Sequence, residues 1–145
     1  MSMSKMIYIN LPVADVAAAT RFYQAIGFEK NEAFSNEQAS GMEWSDTIWV
    51  MLLDHAFYST FTDKKIIDAK TTSGALLCVS FDSKEAVEDI HLRAVAAGGT
   101  ETRKVEPQGP MLGGAFEDLY GHLWETLFMD PAAMESAPTP EGADA

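Results

Sequence analysis

The sequence predicts an α+β protein built from two copies of a βαβββ module, paired in a curved, partly closed mixed sheet around a shared pocket. Three observations carry that expectation. An alternating apolar strand followed by an amphipathic helix that stops at glycine occurs twice. Each helix is followed by three further strand segments. The second copy repeats the first at an offset of 68 residues from Tyr8 to Leu76 and 71 residues from Gly27 to Gly98.

Module one, about residues 5–62, opens with a strand over Met6–Val13. Ile7, Ile9 and Leu11 alternate there with Met6, Tyr8 and Asn10, the period of a half-buried strand. Pro12 cannot donate to a ladder, so it ends this strand or puts it at an edge. Asp15 is an N-cap for a helix whose Val16, Ala19, Tyr23 and Ile26 share a face, and Gly27 stops it. Phe28–Phe34, Gly41–Trp44 and Thr47–Leu53 read as strands, and Asp54–Phe61 as a short helix or loop. Residues 63–73 are polar enough to be a linker. Module two, about residues 74–131, begins with a strand over Ala75–Phe81. Asp82-Ser83-Lys84-Glu85 then fits a capping box with Glu85 at the third helical position. Val87, Ile90 and Ala94 give that helix its apolar face, and Gly98-Gly99 end it. Thr100–Val105, Met111–Phe116 and Leu123–Phe128 complete the copy. The Gly/Pro-rich stretch 107–114 reads as a hairpin loop, with a flexible lid as the alternative. Residues 1–4 form a flexible polar lead, and residues 132–145 an acidic tail too polar to build a core and therefore expected to be disordered.

The 145 residues carry 10 Lys+Arg against 22 Asp+Glu, a net charge of −12. Nucleic acid is not an expected partner, because phosphate binding needs clustered cations. No apolar run is long enough for a membrane-spanning helix, and the single cysteine excludes an intrachain disulfide. A cytoplasmic location is the expectation.

One helix per sheet covers one face and leaves the other open. Alternation sends Ile7, Ile9 and Leu11, and Leu77, Val79 and Phe81, toward the helices. The open faces then hold Met6, Tyr8 and Asn10 from one module and Leu76, Cys78 and Ser80 from the other. Trp49, Met51 and Leu53 join them, and Trp44 and Met111 are placed at the mouth. The expected ligand pocket is therefore Tyr8, Asn10, Trp44, Trp49, Met51, Leu76, Cys78 and Met111. Such a lining suits a flat or apolar small organic molecule, and its Trp faces also suit a cation. Glu125 shares its face with Leu123 and Leu127. A carboxylate among leucines is desolvated, which makes it a candidate proton carrier, with Tyr8 and Asn10 as orienting groups. His122 is an odd number of residues from Glu125, so on one strand they face opposite ways. His122 then reads as a structural residue beside a turn, His55 as a surface or capping residue, and His91 as a solvated helix-edge residue. Cys78 by itself reads as a small core hydrophobe.

The stretch NLPVADVAAATRFYQAIGF (Asn10–Phe28) and the ending FEDLYGHLWETLFMDP (Phe116–Pro131) resemble the vicinal oxygen chelate superfamily, in particular its glyoxalase/bleomycin resistance protein/dioxygenase-like branch. The resemblance covers about residues 5–131 and implies the same two-module fold in one domain. It also implies pocket-facing metal ligands at Tyr8, about Met51, Leu76 and Glu125. Only Glu125 has the residue type that metal-dependent members place there, so no tightly bound metal is expected, and a lone carboxylate holds a divalent ion only weakly. The resemblance further implies a homodimer. The expected function is the binding of a small organic ligand in the inter-module pocket, with no assigned reaction. The alternatives are a metal-dependent lyase or isomerase of glyoxalase type or a related dioxygenase, and a non-catalytic interaction module with a filled pocket. In an enzyme, Glu125 would be the general base.

Overall fold

The computed structural model describes residues 4–132, so the lead over residues 1–3 and the tail over 133–145 lie outside the described residues. Module one runs β1 (Ile7–Val13), α1 (Val16–Ala25), β2 (Glu29–Asn31), β3 (Ala39–Glu43) and β4 (Ile48–Asp54). A four-residue helix, α2 (His55–Tyr58), leads into the linker. Module two runs β5 (Leu76–Ser80), α3 (Lys84–Ala96), β6 (Thr100–Gln108), β7 (Met111–Glu117) and β8 (Leu123–Met129). The expected α+β architecture of two βαβββ modules is present. Each module makes a four-stranded mixed sheet, in the orders β1-β4-β3-β2 and β5-β8-β7-β6, and neither sheet closes.

Local chemistry explains these elements. Pro12 is tolerated because β1 is an edge strand, parallel only to β4. The Asp15 carboxylate accepts the Ala18 N–H at 3.0 Å and caps α1. Gly27, at φ +113°, takes the left-handed turn that ends the helix. The second helix starts one residue later than the capping box implies. Ser83, not Asp82, is its N-cap, and its hydroxyl accepts the Ala86 N–H at 3.1 Å. β2 is shorter than Phe28–Phe34, because the Asn31 side chain accepts the Ala33 N–H and winds Glu32–Phe34 into a 3₁₀ turn. The stretch 107–114 is a hairpin, tighter than a loop of that length, and its residues outside the turn are strand rather than lid. β6 continues to Gln108, the chain turns through Gly109 and Pro110, and β7 starts at Met111. Gly113 and Gly114 are strand glycines there, close against the Thr126 backbone and the His91 ring respectively.

The helix-bearing faces of the two sheets turn toward each other and share one core. Leu11, Met42, Val50, Leu52, Phe22 and Tyr23 come from module one, and Val79, Ile90, Phe116 and Trp124 from module two. Trp124 packs edge-on to Tyr23 (centroids 6.1 Å) and to Phe28 (5.8 Å). Burying each such side chain stabilises the fold by about 1.5–3 kcal/mol. Phe22, Tyr23 and Phe28 of module one are buried in the same cluster as Phe116 and Trp124 of module two. The uncovered sheet faces consequently point outward, so within one chain they do not close on one another.

Candidate functional site

The register fixes which side chains share each outward face. β1 and β4 pair Tyr8 with Trp49 and Asn10 with Met51. The Tyr8 and Trp49 rings lie 5.7 Å apart, and Phe34 meets Trp49 edge-on at 5.3 Å. Phe34 reaches the sheet over Gly41, where an added Cβ would sit 3.0 Å from its own Cβ. Tyr8 is 51% exposed and Phe34 58% exposed, whereas Trp49 beneath them is buried. The Trp49 indole N–H has no acceptor among the described residues. The Tyr8 hydroxyl donates only to the Met6 sulfur, at 3.6 Å.

On the second outward face, β5 and β8 pair Leu76 with Leu123 and Cys78 with Glu125. Leu76 is 61% exposed. Met111 belongs to this face too, two positions before Gly113 and four before Ala115, which pairs with Glu125. Arg103 of β6 donates to Glu125 Oε2 at 3.4 Å and to the Gly114 carbonyl at 3.3 Å. Both charged side chains are partly exposed, so this pair contributes about 0–1 kcal/mol. Partial burial pushes the Cys78 thiol above its ordinary range; the Glu125 carboxylate adds to that, and Arg103 opposes it.

Several expectations are corrected by this geometry. Trp44 lies on neither outward face; its ring packs against Phe28 (4.9 Å) and Phe81 (5.4 Å) beside the core. Cys78 is exposed rather than a core hydrophobe. Glu125 is not sealed among leucines: its carboxylate reaches Arg103, while Tyr8 and Asn10 stand on the other sheet's outward face. His91 is 3% exposed, not solvated. Its Nδ1 lies 2.8 Å from Glu101 and its Nε2 2.8 Å from Thr126 Oγ1, so it pins α3 onto sheet two. Sequence reading missed Arg103 and Phe34. Register shifts on both sides of Arg103 break the alternation of β6, so its facing could not be read by counting. Phe34 was hidden by the 3₁₀ turn.

The motif around His122 has a different role from Glu125. Tyr23 donates to Asp118 Oδ2 at 2.6 Å and accepts from Trp124 Nε1 at 3.0 Å. Asp118 Oδ1 receives the backbone N–H groups of Tyr120 and His122. His122 Nε2 lies 2.8 Å from the Pro12 carbonyl, and Tyr120 donates to the Asp15 carbonyl at 3.0 Å. Gly121, at φ +91°, passes so close to the linker that a Cβ would be 2.6 Å from Ala69 and Lys70 backbone atoms. Asp118, Gly121, His122 and Trp124 therefore clasp module two onto module one. Of Asp118, His122, Trp124 and Glu125, only Glu125 has its side chain on the outward face, beside Leu123 and Leu127 of the same strand.

The four positions that the sequence resemblance implies as metal ligands, Tyr8, Met51, Leu76 and Glu125, offer a phenol, a thioether, an aliphatic chain and one carboxylate. That set does not fit a divalent ion. Among the described residues, no three His, Cys, Asp or Glu side chains gather as metal ligands. No described helix is long and apolar enough to cross a membrane.

Residues 5–45 match the family model described as bleomycin resistance protein-like N-terminal. No curated protein matches the sequence. Among solved structures, a hypothetical protein from S. aureus is 20% identical with a TM-score of 0.73, over 88% of this chain and 95% of that one. A glyoxalase/bleomycin resistance protein/dioxygenase family enzyme from Burkholderia phytofirmans is 21% identical with a TM-score of 0.71, over 88% of this chain and 100% of that one. A glyoxalase-related enzyme from Fulvimarina pelagi is 22% identical with a TM-score of 0.71, over 87% and 88%. The chain therefore has the fold of these glyoxalase/bleomycin resistance protein/dioxygenase structures and matches, over residues 5–45, the bleomycin resistance protein-like N-terminal model.

Proposed function

We propose that the protein binds a small, flat organic molecule, without a resident metal, between the outward face of module one in one copy and the outward face of module two in a second copy. The observation that carries this reading is the ring cluster of Tyr8, Phe34 and Trp49 on an outward face, with the Trp49 N–H unpaired beneath it. Exposed aromatic surface of this kind marks a binding face. A planar ligand stacks on the rings, and an acceptor on the ligand meets the indole N–H once the exposed Phe34 ring shifts. Module two brings complementary groups: the aliphatic side chain of Leu76, the Glu125 carboxylate and the Arg103 guanidinium. Glu125 then receives a cationic or hydroxyl group of the ligand. The reading is one of binding, and the donor set at Tyr8, Met51, Leu76 and Glu125 supports no metal-assisted step.

The test combines size measurement with intrinsic fluorescence. Sedimentation should give a dimer. A planar aromatic cation such as a phenanthridinium dye should quench tryptophan emission saturably, and Trp49→Phe should remove most of that quenching. Glu125→Gln should weaken the dye by about tenfold. A monomer at all concentrations, or quenching that is unchanged in both variants, would refute the proposal.

A further inference from the structure

A cavity of about 610 Å³ lies between the linker and the edges of the two modules; Asn10 and Leu123 reach its lining from the outward faces, but Tyr8, Phe34, Trp49, Leu76, Arg103 and Glu125 do not. Its size is within the range of small-molecule sites, roughly 300–1,000 Å³. Its apolar wall comes from Leu11, Leu77, Leu123 and Ile67. Lys64, Lys65 and Lys70 line it as well, three of only ten Lys and Arg residues in a chain of net charge −12. None of the three forms an ion pair among the described residues. The neighbouring Asp68 carboxylate does not neutralise them by pairing; its Oδ1 accepts the Lys70 backbone N–H at 3.1 Å. Glu117 is the one acidic residue in the lining. His122 is held by its Nε2 at the Pro12 carbonyl, so a neutral ring donates there and carries its lone pair on Nδ1. The hydroxyls of Thr62, Thr71, Thr72 and Ser73 edge the same space.

The three lysines are exposed on a linker that also carries Asp63 and Asp68, and they are the only Lys or Arg residues of the lining, so an anionic head is the group that this end of the cavity attracts. An apolar wall next to three uncommitted ammonium groups fits a molecule with both characters. We propose that this cavity is a second binding site, for a small organic anion with an apolar body and a carboxylate or phosphate head. The site is independent of the ligand site proposed above. Its occupant would join the linker to both modules, with the head on the lysines and the body against Leu11, Leu77 and Leu123.

Titration of the full chain with octanoate, octyl phosphate and octyltrimethylammonium tests this. Both anions should bind saturably at one site, and the ammonium should not. Amide shifts in a nitrogen-15 correlation spectrum should cluster at the linker and at residues 121–123. The surface substitution Lys64→Gln/Lys65→Gln/Lys70→Gln should weaken the anions by about tenfold or more while leaving the unfolding midpoint of the free protein in place. The tighter of the two anions identifies the head group. Absence of saturable anion binding, affinity unchanged by the triple substitution, or shifts confined to the outward sheet faces would overturn the proposal. Trp49→Phe should leave anion binding intact, which separates failure here from failure of the ring-face site.

Discussion

Replacing Tyr23 by Phe removes one oxygen atom from the interface between the modules. That oxygen donates to Asp118 at 2.6 Å and accepts from Trp124 at 3.0 Å, with all three residues buried. A hydrogen bond to a carboxylate contributes about 1.5–3 kcal/mol, and a buried N–H left without an acceptor costs about 1–3 kcal/mol. Asp118 keeps its two backbone donors on Oδ1, so its charge is not stranded. The expected loss is therefore about 3–5 kcal/mol, a third or more of an ordinary domain's stability. Reversible urea unfolding followed by tryptophan emission measures it, and the midpoint temperature should fall by roughly 10–20 °C. The substitution also has a pH signature. Burial first, and the Asp118 carboxylate second, push the Tyr23 phenol well above its ordinary range. An unfolded tyrosine titrates near pH 10, so the contribution is fully present below about pH 10 and fades as pH rises toward the folded value. The wild type should lose stability along that alkaline limb, and Tyr23→Phe should flatten it. A loss below about 1 kcal/mol with an unchanged alkaline limb would refute the clasp reasoning.

Three further substitutions probe separate features. Gly121→Ala forces an L side chain into φ +91° and against the Ala69 and Lys70 backbone, so stability should drop by about 2–4 kcal/mol in chemical unfolding. His91→Leu removes the bridge from α3 to Glu101 and Thr126 and should cost about 1–3 kcal/mol; wild-type stability would show that the bridge contributes nothing. Alkylation of Cys78 near pH 8 should quicken in Glu125→Gln and slow in Arg103→Gln, because the first change removes a charge that opposes the thiolate and the second removes one that supports it. The reverse order of rates would contradict the arrangement of that face.

The module repeat was legible because it rests on local signals. Alternation placed β1 and β5, and Asp15 and the helix-ending glycines Gly27 and Gly98 are short-range devices. What was not legible needs knowledge of how the modules meet. Alternation separates the two faces of a strand but does not say whether the open faces converge, and the contacts of Tyr23 and Phe28 with Trp124, which join the helix-bearing faces instead, span about a hundred residues of sequence. His91 carries the same lesson: its helical position suggested solvent, but β6 delivers Glu101 and β8 delivers Thr126 to its two nitrogens. The motif around His122 was readable as a pattern but not as a role. Its spacing says nothing about Tyr23, some hundred residues away in sequence, which turns Asp118 and Trp124 into a fastener. Bulges in β6 concealed Arg103 in the same way, because counting by twos fails where the register slips.

The outward placement of Tyr8, Met51, Leu76 and Glu125 has a consequence for how such a protein changes. Each strand carries its cohesion on one side and leaves the other side free, so the residues proposed to meet a ligand are spared from holding the chain together. A library randomised at those four positions should remain largely folded while varying widely in what it captures. The scaffold can thus acquire a new specificity without first being made sturdier.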